Sequence, residues 1–216
     1  MCRRLNIKMN QSIQTNQLNP YAIQLCTLGR WIAQRQWLPF GSGLFSIRTS
    51  EHSALFTAAD KDKNELSPAD LIARCWPNQD QSDTAAAIHQ FLYQINPQHK
   101  VILQVQDPQA TVFSRLIKAD QHLFVGYEIQ QQLATHSAQR SCCPLAILEP
   151  QALDLMLQEL HQCFDREALP YAFLVRGHGL YTWGDSVDSA KRHLEAWQFL
   201  IACELERIKA SCHFNS

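Results

Sequence analysis

The chain has 216 residues, 46% of them hydrophobic, and sets 19 Lys and Arg against 20 Asp and Glu for a formal net charge of -1. That length suits one domain with a sizeable core, and so even a charge balance excludes the long-range pull that a basic protein exerts on nucleic acid or an anionic membrane. No stretch approaches the roughly 20 apolar residues of a spanning helix, and the basic start at Met1 to Arg4 is not followed by the apolar run of a signal peptide. The expectation is a cytoplasmic protein with neither membrane nor nucleic-acid partners.

Residues 1–17 read as a flexible leader, with Met9 as an alternative start, and residues 18–216 as a single domain. The eight cysteines form no C-x-x-C pair, and adjacent Cys142 and Cys143 cannot readily bridge each other, so all are expected to be reduced. From Pro20 to Trp37, apolar residues at Ile23, Leu25, Leu28, Ile32 and Trp37 predict an amphipathic helix, which Pro39, Gly41 and Gly43 end. Leu44–Arg48 and Ala54–Thr57 predict a β-hairpin. The following loop alternates in sign, so Lys61 and Lys63 read either as a solvated turn or as an anion-binding pair. Ser67 and Pro68 then begin a short helix.

A helix is predicted over Ser82–Tyr93, with Asp83 near its start and His89 inside it. Val101–Val105 predicts a central strand, and Asp107-Pro108 caps and opens a helix over Gln109–Ile117. A turn rich in polar residues leads to Leu123–Val125 and then Tyr127–Ala134. Pro144–Leu148 reads as a strand and Leu153–Phe164 as a helix. Ala172–Val175 reads as a strand buried on both faces. Asp185 is expected to cap a long last helix whose stripe runs through Val187, Ala190, Leu194, Trp197, Ile201, Leu205 and Ile208. Its length is enough to cover the sheet and reach a neighbouring subunit. Strands and helices interleave throughout, which predicts an α/β layered architecture.

The most informative position is His178, held between Gly177 and Gly179 where a strand leaves the core. It is the best metal-ligand or acid/base candidate, with a hydrogen-bonded structural histidine as the alternative. Glu128 either points into a cleft or caps a helix. There is no dinucleotide glycine signature, no P-loop and no nucleophile elbow.

The segment Arg176-Gly-His-Gly-Leu-Tyr-Thr-Trp-Gly184, with Arg192-His-Leu-Glu195 and Cys203-Glu-Leu-Glu206, resembles the methylthioribulose-1-phosphate dehydratase family within the class II aldolase/adducin fold. Shorter matches lie at Trp37-Leu-Pro39, Lys61-Asp-Lys63, Ser114-Arg-Leu116 and Gly126-Tyr-Glu128, so the resemblance spans roughly residues 20 to 210. It implies three layers, α/β/α, around a mixed or mainly antiparallel sheet. It also implies a zinc-dependent dehydratase of methionine salvage, acting on a phosphorylated ketose in a symmetric tetramer. His178 matches one family zinc ligand, while Gln104 and Gln106 stand where the family has its His-x-His pair. Ala85, four residues before His89, replaces the catalytic glutamate.

The family's Gly-Gly-Asn loop falls on Ser42-Gly43-Leu44 and its Ser-Gly phosphate loop on Ala59-Asp60, leaving Gly43 and Lys61 as substrate-binding candidates. Three expectations follow. The fold is kept without zinc chemistry, for a binding, regulatory or assembly role. Alternatively a sugar-phosphate dehydratase or lyase works with zinc or through recruited residues among Asp83, Asp107, Glu128 and His89. In the third, the chain is an inactive subunit beside an active paralogue.

Overall fold

Asn19 accepts the Tyr21 amide and Pro20 takes the first turn, opening helix α1 (Pro20–Ala33). Its stripe of Ala22, Leu25, Leu28 and Ile32 is buried. The helix stops at Ala33 and does not run on to Trp37, because Gln36 turns left-handed at φ 60° and Trp37 comes back edge-on against Trp31. The computed structural model describes residues 19–76, 83–133, 142–166 and 169–214. The leader expected over residues 1–17 lies outside the described residues, as does Ser82.

The strands are β1 (Leu44–Ser50), β2 (Ser53–Thr57), β3 (Leu71–Cys75), β4 (Val101–Val105), β5 (Gln121–Val125), β6 (Cys142–Leu148), β7 (Ala172–Val175) and β8 (Gly179–Gly184). They form one sheet in the order β3-β2-β1-β4-β8-β7-β6-β5, antiparallel except between β6 and β7. The expected hairpin is β1 and β2. Two strands went unanticipated: β3 is an edge strand with one buried residue in five, and β8 is bounded by glycines that mimic a loop.

Helices α2 (Thr84–Ile95) and α4 (Leu153–Arg166) cover one face, over Phe56, Ile102, Phe173, Tyr181 and Trp183. The other face lies under α1, α3 (Pro108–Leu116) and α5 (Val187–Phe214), over Phe45, Leu103, Leu145, Leu174 and Leu180. Alternation along β4 sends Val101, Leu103 and Val105 to the second face and Ile102 and Gln104 to the first. Trp197 on α5 is fully buried and its Nε1 donates to the Pro170 carbonyl at 2.9 Å, so its one polar atom is satisfied.

Asp107 caps its helix as expected, and Asp83, expected only near the start of α2, is the cap of that helix. The Asp83 carboxylate accepts from Ala86 N at 3.1 Å, and that of Asp107 accepts from Gln109 N and Ala110 N at 2.9 and 3.0 Å. At α5 the cap is Ser186, which exchanges hydrogen bonds with Ser189, and Asp185 supports it by accepting both hydroxyls. Cys26, Cys75, Cys142, Cys163 and Cys203 are free thiols.

Candidate functional site

The β7–β8 turn carries His178 at one end of the sheet, and two glycines shape it for different reasons. Gly177, at φ 69°, has open space where a Cβ would point and serves only to reverse the chain. Gly179, at φ 143°, lies so near β4 that a Cβ would fall 2.2 Å from the Val105 carbonyl oxygen. The turn is also clasped from outside. Gly177 N donates to Ser114 Oγ at 3.0 Å, while Arg176 donates to the carbonyls of Ser114 and Ile117 and to the Glu149 carboxylate. A guanidinium on the last carbonyls of α3 suits the negative end of that helix. Behind the turn, Gly184 lets α5 abut β8, since a Cβ there would meet Ser189 Oγ at 2.3 Å.

The Gln104 amide and the Gln106 side chain border the same turn. A Cβ on Gly179 would stand 3.1 Å from Gln104 Nε2 and 3.1 Å from Gln106 Cγ, one residue along from His178. Gln104 is buried and faces Tyr181 in the β4–β8 register. The Tyr181 hydroxyl lies 3.3 Å from His178 Nε2. Burial around the ring holds the His178 imidazole below the ordinary histidine value, and burial raises the Tyr181 phenol, helped by the Asp83 carboxylate.

Gly43 joins this group from the start of β1. Its φ of 99° and a Cβ position 2.7 Å from the Gln104 carbonyl oxygen press the Pro39–Gly43 loop onto the end of β4. In that loop Ser42 Oγ is buried without a partner. Gly41 packs on Asp62 Cα, which brings in the lysine loop. There the expectation for Lys63 fails on both counts, because the side chain is neither solvated nor free to bind an anion. It is fully buried, and its ammonium donates to the carbonyls of Ala58, Ala59 and Lys61 at 2.9, 3.3 and 2.8 Å. Lys61 is half exposed, with Nζ 4.0 Å from Asp70.

Helix α2 closes the site on the first face. Ala85 is half-buried near its start, and Asp83 pairs with Arg74 at 3.0 Å. His89 is fully buried; its Nδ1 lies 2.8 Å from Ser46 Oγ, which lies 2.7 Å from the Tyr93 hydroxyl. Its Nε2 has no partner, and its ring meets Tyr181 edge-on at 6.0 Å. Burial, with Arg74 adding to it, lowers the His89 pKa to about 3, so the ring is neutral.

The structure thus gathers His178, Gln104, Gln106, Gly43 and Tyr181, with Asp83 and His89 on the same side. Asp107 and Glu128 are not among them. Asp107 is buried at the start of α3 on the opposite face and accepts from Gln198 Nε2 at 2.7 Å. Glu128 lines a surface groove with Phe199. Tyr181 was missed as a site residue, although strand alternation after Gly179 would have put it on the same face as Gln104. Among the described residues no three His, Cys, Asp or Glu side chains are grouped so as to hold a metal ion.

Two of the sequence fragments meet each other away from this site. The Tyr127 hydroxyl donates to Glu204 at 2.9 Å, and His122 lies 3.1 Å from the same carboxylate, which Arg207 and Tyr127 hold below its ordinary pKa. These residues tie the short helix Glu128–Leu133 to α5. His193 is likewise committed to the scaffold, stacking on Tyr171 at 3.9 Å with its Nδ1 2.7 Å from the Trp183 carbonyl oxygen.

The profile of the Class II Aldolase and Adducin N-terminal domain family matches residues 23–205. The chain belongs to this family. A methylthioribulose-1-phosphate dehydratase of Yersinia enterocolitica is 32% identical over 191 residues, covering 86% of this chain and 91% of the relative. One from Yersinia pseudotuberculosis is 33% identical over 183 residues, covering 82% of each. Among solved structures, the l-fuculose-1-phosphate aldolase of Thermus thermophilus superimposes with a TM-score of 0.69 at 16% identity, covering 90% of this chain and 96% of that one. The class II aldolase fold anticipated from the sequence, a mixed sheet flanked by helices, is therefore the fold found.

Proposed function

We propose that this class II aldolase-family chain binds a small sugar-like molecule at the β7–β8 turn and does not carry out zinc-dependent dehydration. The observation that carries this reading is that the Gln104 amide and the Gln106 side chain lie against Gly179, next to His178, where the resemblance implies two further imidazoles. Zinc in catalytic sites takes three protein ligands from Cys, His, Asp and Glu, and a neutral amide oxygen is a much poorer donor. That donor set does not fit zinc. At Ala85, where the resemblance implies a glutamate, there is a methyl group that cannot move a proton, a role worth about 100 to 10,000-fold in rate.

The test is elemental analysis of the purified chain together with an assay on methylthioribulose 1-phosphate, the compound in the names of its curated relatives. The expected result is substoichiometric zinc and no elimination of water. One zinc per chain with turnover would overturn the reading.

A second reading, a working dehydratase or lyase with recruited residues, has His89 in its favour. Its unpartnered Nε2 lies on the same face as Tyr181. The Asp107 and Glu128 positions give it no support. Assembly into a tetramer, with itself or with an active paralogue, remains part of the proposal. Sedimentation of the chain alone and co-expressed with such a paralogue tests it.

A further inference from the structure

We infer that the chain has a second small-molecule site, at the end of β8 far from His178, for a flat, uncharged aromatic ring that carries an N–H donor. Strand β8 runs from Gly179, beside the turn, to Gly184, which pairs with Val101 at the opposite end of β4. At that opposite end a cavity of about 490 Å³ opens between the C-terminal ends of α2 and α4. Ligand pockets run from roughly 300 to 1,000 Å³, so the size suits a small ligand. Trp183 and His99 form the floor, both nearly buried, with ring centroids 5.3 Å apart. Half-buried Ile95, Phe164 and Tyr171 form the walls. A lining of aromatic and aliphatic side chains takes an aromatic ring best.

His99 decides which ring. Its Nδ1 lies 2.7 Å from the Leu92 carbonyl oxygen, and since a carbonyl only accepts, Nδ1 carries the proton. Burial holds the imidazole at about 4, well below the ordinary histidine value, so the second nitrogen stays unprotonated at neutral pH. Nε2 is therefore a bare acceptor on a side chain only 7% exposed, turned to the cavity by the bond on its other nitrogen and without a partner among the described residues. An acceptor so placed needs a donor, and a ring N–H entering the cavity supplies one. The one carboxylate among the described lining residues, Asp165, stands at the rim 3.1 Å from His161 Nδ1. With that group engaged, the lining calls for no charge on the ligand.

The test is calorimetric titration of the full chain with indole and with benzofuran, which has the same shape but an oxygen in place of the N–H. The expected result is one indole per chain, with benzofuran at least about tenfold weaker because it leaves the buried acceptor unpaired. His99→Asn keeps a side-chain N–H for the Leu92 carbonyl and removes the Nε2 acceptor, so it should bring indole down to the benzofuran level. Ile95→Trp fills the cavity and should abolish binding of both probes. Thermal unfolding shows whether each variant is folded; should His99→Asn not fold, the benzofuran comparison and Ile95→Trp decide. Binding of neither probe, equal binding of the two, or indole binding unchanged in a folded variant overturns the inference. Neither probe involves zinc or the β7–β8 turn, so the outcome is independent of the reading proposed for that turn.

Discussion

The Tyr181 hydroxyl stands 3.3 Å from Nε2 of His178, on a ring stacked at 4.9 Å against Phe173. The stack fixes the ring, and the ring fixes where the imidazole can lie. Tyr181→Phe keeps the stack and removes only the hydroxyl. Stability should fall by about 1 kcal/mol, the usual net worth of one hydrogen bond, as read by urea unfolding.

Glycine at position 179 answers to β4 rather than to the turn. Gly179→Ala forces a Cβ against the Val105 carbonyl in a backbone conformation that side chains rarely adopt, and should cost about 3 kcal/mol or more. Gly177→Ala meets no neighbour and should cost about 1 kcal/mol from φ alone. Thermal unfolding of the two variants should rank them in that order; equal losses would contradict the close approach.

Lys63 and Lys61 should part company on mutation. Lys63→Met strands three carbonyl oxygens in a buried loop and is expected to cost about 3 kcal/mol. Lys61→Met, half exposed with a long ion pair, should change stability by no more than about 0.5 kcal/mol. Denaturant midpoints of the two variants decide it.

Acid should loosen the fold through two buried imidazoles. Burial lowers His89 to about 3 and His99 to about 4, from 6.5 in the unfolded chain. Between 6.5 and those values the unfolded state takes up protons that the folded state refuses. Stability is therefore complete above pH 6.5 and falls as the pH drops, by roughly 1.4 kcal/mol per pH unit for each histidine. Urea midpoints measured from pH 7.5 down to 5 should show the fall, and His89→Gln should make it shallower.

Restoring imidazoles offers a converse experiment. Gln104→His with Gln106→His would set two rings around Gly179 beside His178, the three-ligand minimum of a catalytic zinc site. The double variant should take up one zinc per chain where the parent does not, by elemental analysis after gel filtration. Failure to bind would mean that the two side chains do not converge on His178.

Most of the architecture could be read from periodicity and caps. Asp107 with Pro108 announced its helix, and the buried run at Ala172–Val175 announced its strand. β3 could not be read because an edge strand with one buried residue carries no alternation, and β8 because Gly179 and Gly184 look like punctuation when they are contact points. At the candidate site, the turn that carries His178 was legible from its flanking glycines. Lys63 was not, since a sequence of alternating charges gives no sign that one ammonium will turn inward to collect carbonyls. Asp107 was misjudged for the opposite reason: its capping role was plain, and the extra duty suggested for it needed the other side of the sheet.

The clasp of Arg176 and Ser114 on the β7–β8 turn makes no use of whatever lies in front of His178. Neither does the squeeze of Gly179 against Val105, nor that of Gly184 against α5. The most recognisable stretch of this chain is thus a joint, demanded by the way three secondary-structure elements meet. A sequence pattern built on those residues would retrieve catalysts and non-catalysts alike, and the reacting chemistry has to be judged from the neighbouring strand.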